Sequence, residues 1–353
     1  MKSKLNSLGL DKKPKDTTVV VAMSGGVDSS VTAVFLKKQG YDVIGVSLKL
    51  YNQTSNSSSK SCCAGRDIED AREVANQYSI PHYTFDYQDK FYDGVIDKFI
   101  ESYANAETPV PCIQCNQTVK FRDLLNESKK MNADVLATGH YAIIDGEINN
   151  SKLFKAKDSK KDQSYFLFAT NKDQLNYLRF PLGRFYKSEI RKMANEYNLQ
   201  VSDKPDSQDI CFVTSDSYRD LINKIDPKLN LEGDFVDISG NVLGKHKGIT
   251  NYTIGQRKGI GIGGQKNPLY VIEIDKLNNK IKLGEEENLK KTTIEFKNIN
   301  WLDSNVQPKN LICKAKIRSN QEEKKGLPSS PFRCCLDSPS GIPPAMWGIY
   351  PSG

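Results

Sequence analysis

Val19-Val-Val-Ala-Met-Ser-Gly-Gly-Val-Asp-Ser-Ser-Val-Thr32 is the stretch that decides the fold. Val19 to Val21 predict a buried strand, because an unbroken apolar run suits a parallel strand covered on both faces. Gly25 and Gly26 let the backbone turn sharply and approach a ligand without Cβ interference. Val31, Val34 and Phe35 return at helical spacing, so the loop opens onto a helix N-terminus whose first amides lack partners. Those amides, the hydroxyls of Ser24, Ser29 and Ser30, and the positive end of the helix dipole predict an anion site.

The loop has neither the Gly-Lys-Ser/Thr of a Walker loop nor the third glycine of the dinucleotide fingerprint. Ser24-Gly-Gly-Val-Asp-Ser-Ser30 instead resembles the pyrophosphate loop of ATP pyrophosphatases, which activate a substrate by adenylation. Asp28 in a phosphate cradle would repel the ligand unless a cation stands between them, which suggests Mg²⁺. A strand-to-helix turn without a ligand is the plainer reading of the same residues.

Composition sets outer bounds. At 353 residues the chain can hold two or three domains. Fifty Lys and Arg against forty-three Asp and Glu give +7, which permits a nucleic-acid partner without demanding one. No apolar run is long enough to span a bilayer and no signal peptide is evident, so a soluble cytoplasmic protein is expected. Eight cysteines in that setting argue for catalytic, redox, metal or plainly buried thiols rather than a disulfide framework. Three histidines are too few for a histidine-rich metal site.

Outward from the loop, Tyr41 to Leu48 reads as a second strand and Pro81 to Phe85 as another. Asp67 is expected to cap the intervening helix, which runs to Tyr78. Asn52 to Ser61 is a Ser/Asn tract and reads as a loop. Strands alternating with helices predict an α/β, doubly wound parallel sheet with its ligand at the carboxyl ends of the strands. Ala133 to Thr138 is a further strand, ending in Gly139-His140. Pro109 and Pro111 should hold their segment extended, with a helix from about Asn116 to Lys130. Cys115 would then sit at a helix N-terminus, where the dipole lowers a thiol pKa. Residues 1–16 read as a loose leader. From about 214 the texture becomes β-rich, with a glycine-flanked basic loop at Ile254 to Ile262. Gly326 to Gly353 shows no strand period and reads as disordered.

Six motifs in order resemble the bacterial tRNA-specific 2-thiouridylase family. They are the glycine loop, Cys115-Asn, Thr138-Gly-His-Tyr-Ala142, Lys161-Asp-Gln-Ser-Tyr-Phe166, Asp206-Ser-Gln-Asp-Ile-Cys-Phe212 and Tyr252-Thr-Ile-Gly-Gln-Arg-Lys-Gly259. The resemblance spans about residues 17–318. It implies an ATP pyrophosphatase (adenine nucleotide alpha hydrolase-like) catalytic domain at 17–213 and two smaller β-rich domains. The first, at 214–288, would bind tRNA; the second, at 289–353, would be barrel-like with an atypical end. The implied activity is ATP-dependent 2-thiolation of uridine 34 in the tRNA anticodon arm, through an adenylated uridine and a cysteine persulfide.

On that resemblance Cys211 carries the persulfide and Cys115 is the nucleophile, the two forming a transient disulfide. ATP falls on Ala22, Met23, Ser24, Gly25, Gly26, Val27, Asp28 and Ser29, with Leu48 and Gly139 lining the adenosine. The target base falls on Val110, Pro111 and Cys112, and tRNA on His140, Lys161, Asp162, Gln163, Arg318 and Ser319. Val110 replaces the family's usual asparagine. The family's closing Pro-Gly-Gln turn and last strand are missing after Gly326, so weaker tRNA binding is expected. A cysteine desulfurase or sulfur-relay protein would supply sulfur to a monomeric enzyme. Cys112-x-x-Cys115 with Cys211 is also open to an Fe-S cluster with one open iron. Two other readings stand beside this one: amide formation on a small molecule by another ATP pyrophosphatase, and a tRNA-binding protein without catalysis.

Overall fold

The structure, a computed structural model, describes residues 5–51, 65–146, 150–206, 210–213, 218–264, 266–295, 299–302, 313–316, 318–319, 321–330, 333–341 and 348–351. The loop expected at Asn52 to Ser61 lies outside the described residues. Two compact units divide the chain. The first holds 1–95, 112–214 and 300–304; the second holds 96–111, 215–299 and 305–353. Apart from 300–304, both β-rich regions anticipated after residue 214 therefore fall in the second unit, together with 96–111.

In the first unit β1 (Thr18–Ala22) leads through the glycine loop into α1 (Val27–Lys38). Then follow β2 (Asp42–Lys49), α2 (Gly65–Gln77), β3 (His82–Asp86) and α3 (Gln88–Phe91). A π-helical stretch, Tyr92–Ile96, follows α3, and the chain then enters the second unit with α4 (Asp97–Ala104) before returning. α5 (Pro111–Cys115), a second π-helical stretch (Asn116–Leu124) and α6 (Leu125–Lys130) run without a break into the approach to β4 (Val135–Thr138). The hairpin β5 (Ala142–Asp145) and β6 (Lys152–Lys155) precedes α7 (Lys172–Tyr177), β7 (Leu178–Arg179) and α8 (Lys187–Glu196).

The main sheet has the order β3-β2-β1-β4-β7, and every pair in it is parallel. β1 lies at its centre, with Val19, Val20 and Val21 fully buried. Alternation sends Val19 and Val21 into one core with Val31, Val34, Ala71 and Ile190. Val20 joins the opposite core with Phe121, Leu136 and Leu178. Each buried valine contributes about 1.5–3 kcal/mol, so the strand carrying the loop is anchored on both faces.

Residues 5–16 are not a loose leader. Leu8 and Leu10 are buried in the first core, and Arg179 Nε donates to the Leu8 carbonyl at 2.6 Å. The segment reads as polar, yet its two leucines and the bond from Arg179 dock it.

The second unit begins its later part with α9 (Tyr218–Ile225), whose Tyr218 ring stacks on Tyr103 at 4.9 Å. β8 (Gly233–Val236), β9 (Val242–His246), β10 (Tyr270–Asp275) and β11 (Lys280–Gly284) form a sheet of order β10-β11-β8-β9 around Phe235, Val271, Ile281 and Leu283. β12 (Lys290–Glu295), β13 (Cys313–Lys316), β14 (Lys324–Ser330), β15 (Arg333–Gly341) and β16 (Gly348–Pro351) form an antiparallel sheet of order β12-β15-β14-β13-β16. Strands after 326 correct the expectation of disorder there. Main-chain pairing needs no side-chain alternation, which appears only where one face must be buried. Pro328 sits where the ladder shifts register. No described helix is long and apolar enough to cross a membrane.

Candidate functional site

Strand order reverses at β1, the strand between β2 and β4, so the crevice beyond its carboxyl end is the topological switch point of the sheet. The glycine loop occupies that point. Gly25 has φ +73°, and a Cβ there would lie 1.9 Å from the Asp67 carbonyl oxygen, so only glycine fits. Gly26 is the N-cap of α1 and offers no side chain to its first turn. Ser29 Oγ instead accepts from Ser24 N at 3.1 Å and lies 3.2 Å from Ser24 Oγ, which folds the loop over the helix start. Ser30 Oγ is buried without a partner. Gly139, just past β4, packs directly on the loop, since a Cβ there would lie 2.9 Å from Asp28 C and Ser29 N. Ala22 ends β1, Met23 is buried beneath the turn, and Leu48 lies half-buried in neighbouring β2. Glycine loop, Gly139 and Leu48 thus meet at one end of one sheet, with an uncapped helix turn facing any anion there.

Asp28 is not bare. Lys187 Nζ approaches its two carboxylate oxygens at 2.7 and 2.8 Å, and the Tyr141 hydroxyl donates to Oδ1 at 2.8 Å. Burial, followed by the Asp28 charge, pushes the Tyr141 hydroxyl far above its ordinary pKa and keeps it a donor. The carboxylate that suggested Mg²⁺ therefore already has a cation. A nucleotide-borne Mg²⁺ would meet Asp28 as the loop's one carboxylate, in competition with Lys187.

Lys187 Nζ also lies 2.9 Å from Asp206 Oδ1. Lys161 (2.8 Å) and Arg191 (2.9 Å) hold the same carboxylate. Burial raises the Asp206 pKa, but hydrogen bonds from Lys161 and Lys187 outweigh it and leave the group at about 2. Lys204 grips the other side of the loop. Its ammonium donates to the Gly25 carbonyl at 3.0 Å and to Asp67 and Asp70 at 2.5 and 2.6 Å. Asp67 thus lies inside the first turn of α2, which starts at Gly65; its carboxylate serves Lys204 and does not cap the helix.

Sequence reasoning passed over Lys187, Lys204, Tyr141, Asp70 and Arg191. One signal was legible. Lys187 is the first residue of a helix, where a cation opposes the dipole and so requires an anion nearby.

The thiols are arranged differently from the expectation. Pro111 opens a helix instead of preventing one, because the first turn needs no N–H from it. Cys115 therefore sits a turn inside and is buried, and burial pushes its thiol up, with the Lys120 charge opposing. The expected lowering by the helix terminus does not occur. Cys112 is exposed and Cys211 half-buried, with no disulfide on any of the three. Phe212, next to Cys211, packs edge-on against Phe91 beyond β3 at 5.7 Å. No group of three His, Cys, Asp or Glu side chains among the described residues is placed to hold a metal ion. Cys112, Cys115 and Cys211 are accordingly not gathered as a three-thiol ligand set in this structure.

The residues matched to tRNA contacts are placed as follows. His140 Nδ1 lies 2.6 Å from Thr138 Oγ1, its ring against Phe121 and Phe180. Burial, then Lys120, holds its pKa well below the ordinary histidine value. Asp162 accepts from Ala156 N and Ser164 Oγ, and Gln163 Oε1 from Tyr141 N, so both shape the turn that presents Lys161. Val110 is half-buried and Pro111 buried beside exposed Cys112. In the second unit Arg318 Nη2 donates to Ile254 O at 3.3 Å, which brings Arg318 and the neighbouring Ser319 to the basic Ile254–Gly259 loop.

Comparison with known proteins completes the picture. A family model described as the tRNA methyl transferase HUP domain matches residues 17–215, and one described as the tRNA methyl transferase PRC-barrel domain matches 219–285. The chain is 53% identical over 314 residues to the tRNA-specific 2-thiouridylase MnmA of Orientia tsutsugamushi (strain Boryong), covering 88% of this chain and 85% of that protein. The protein of the same name from Ehrlichia ruminantium (strain Welgevonden) is 49% identical over 331 residues, 93% and 88% of the two chains. That from Parvibaculum lavamentivorans is 45% identical over 364 residues, 99% and 90% of the two. The family models' descriptions speak of methyl transfer and the relatives' names of 2-thiolation.

Proposed function

The chain belongs to the tRNA-specific 2-thiouridylase family, and from that membership we propose that it is a tRNA-uridine 2-sulfurtransferase acting on uridine 34. Between the two descriptions the site favours thiolation. A loop fit for adenylation makes the carbonyl oxygen a leaving group, which replacement of oxygen by sulfur needs and methyl transfer does not, and the two thiols can carry the sulfur.

The reaction divides between two parts of the site. Loop amides from Gly25 to Ser29 hold the phosphates of ATP, with Leu48 and Gly139 against the adenosine. Uridine O2 attacks the α-phosphorus, the bond to the bridging oxygen breaks, and pyrophosphate leaves with the electron pair. Oxygen is now a good leaving group as AMP. The terminal sulfur of a Cys211 persulfide attacks C2 and displaces AMP, joining Cys211 to the base through a disulfide. Cys115 thiolate then attacks the Cys211 sulfur, which frees the thiolated base and leaves a Cys115–Cys211 disulfide. An external thiol reductant restores both cysteines. The burial of Cys115 suits a group needed only in the second half of this sequence, because a resting thiol is kept from premature exchange.

Val110, Pro111 and Cys112 would meet the target base, and His140, Lys161, Asp162, Gln163, Arg318 and Ser319 the tRNA. A cysteine desulfurase or sulfur-relay protein would load Cys211, and the enzyme would work as a monomer on Mg²⁺-bound ATP. The observation that carries the reading is the uncapped α1 turn at the switch point in a chain 53% identical to a named 2-thiouridylase.

The test uses ATP, a persulfide donor and unmodified tRNA, with thiolated uridine read as retarded tRNA on a mercury-containing gel. Cys211→Ser and Cys115→Ser should each abolish product while ATP binding persists. Retained thiolation by either variant refutes the assignment.

A further inference from the structure

The glycine loop has a charge problem that its own residues do not solve. Between Met23 and Thr32 it carries no Lys or Arg, and its one charged residue is the acidic Asp28. A triphosphate placed on the α1 amides would face that carboxylate. In Walker loops a lysine within the loop takes this role; here the sequence has none.

Lys187 stands where such a lysine is needed. Its ammonium reaches both Asp28 oxygens from the start of α8, and only 11% of its side chain is exposed. Asp28 occupies the first turn of α1, among the amides that await an anion. Helix energetics do not account for Lys187, because a cation at a helix N-terminus opposes the dipole. Its second carboxylate, Asp206, is already served by Lys161 and Arg191. Three cations thus share Asp28 and Asp206, while a third carboxylate, Asp158, accepts only the Lys187 backbone N–H at 3.0 Å and leaves its ammonium to the loop.

We propose that Lys187 is the phosphate-binding lysine of this site: it holds Asp28 at rest and turns its ammonium to the β- and γ-phosphates when ATP enters. It would then stabilise the charge that gathers on pyrophosphate as the α-phosphorus bond to the bridging oxygen breaks. Lys161 and Arg191 keep Asp206 paired while Lys187 is so engaged. The inference rests on the adenylating reading of the loop and adds a residue to it.

The experiment compares ligands that differ in the phosphates Lys187 would touch. Affinities of ATP, inorganic pyrophosphate and AMP are measured by calorimetry for the full-length wild type, Lys187→Met and Lys187→Arg. A charge-assisted hydrogen bond is worth about tenfold to hundredfold in affinity. Lys187→Met should lose that factor for ATP and pyrophosphate and stay within about threefold for AMP, and Lys187→Arg should recover most of it. Equal loss of ATP and AMP would mark a merely structural tie between α1 and α8, and unchanged ATP affinity would equally overturn the proposal. If Lys187→Met fails to fold, Lys187→Gln, which can still hydrogen-bond both carboxylates, is read by the same comparison. A wild type that binds no ATP would sink the adenylating reading itself, an outcome distinct from a wild type that binds ATP with a Lys187 variant unaffected.

Discussion

Replacing Gly25 by alanine tests the loop geometry most directly. Two costs fall on the variant. The residue has φ +73°, and an L side chain in that region costs about 1 kcal/mol. The new Cβ would also lie 1.9 Å from the Asp67 carbonyl oxygen, so loop and α2 must part by more than an ångström. That movement strains the bonds from Lys204 to the Gly25 carbonyl and the Asp67 carboxylate. Weakening a half-buried charged hydrogen bond costs about 1–3 kcal/mol. Gly40→Ala is the matched control, with φ +86° and no atom within 4 Å of its Cβ. It should pay the backbone cost alone. Thermal unfolding should place Gly25→Ala below Gly40→Ala by several degrees, at about 2–4 °C per kcal/mol for a unit of this size. ATP affinity should fall at least about tenfold in the first and be unchanged in the second. Equal melting temperatures for the two variants would refute the claim that Asp67 crowds the loop.

Three further outcomes are expected. The pKa of Asp206, about 2, is below the ordinary carboxylate value, so its contribution is complete above about pH 4 and lost as pH falls through 2. Allowing for solvent screening it is worth about 1–2 kcal/mol, and urea unfolding between pH 5 and 2 should show less pH dependence in Asp206→Asn; an unchanged slope contradicts the network. His140 is kept neutral by burial and Lys120, so its folded pKa is lowered and its contribution to stability is complete above about pH 6.5 and declines below it. An NMR titration should find the His140 midpoint well below 6.5; one near 6.5 would show an open ring. Arg179→Met leaves the Leu8, Asn176 and Leu178 carbonyls without their donor and should cost about 1–3 kcal/mol. Limited proteolysis should then cut within residues 5–16, and resistance equal to wild type would mean that Leu8 and Leu10 dock the segment unaided.

What was legible followed from local pattern. Val19 to Val21 announced a central strand because burial on both faces leaves an unbroken apolar run, and Gly25 announced its turn because no other residue fits there. Asp28 was seen as a charge needing a partner, but the partner lies 159 residues away and no spacing rule reaches it. Lys204, 179 residues from Gly25, was hidden for the same reason. Cys115 was placed at a helix terminus because proline was taken as a breaker; Pro111 starts the helix a turn earlier and reverses the effect on the thiol. Leu8 and Leu10 were too few to show a period, and the Arg179 bond that helps to fix their segment comes from 171 residues away.

The two lysines on the glycine loop also order events during biosynthesis. Gly25 and Asp28 leave the ribosome early, and their cations emerge 179 and 159 residues later. A nascent chain stopped short of residue 187 would hold a strand, a turn and a helix around an unneutralised carboxylate. The nucleotide cradle is therefore finished only as the stretch leading to Cys211 is being made, so an incomplete translation product cannot own the first half of the machinery without nearly all of the second.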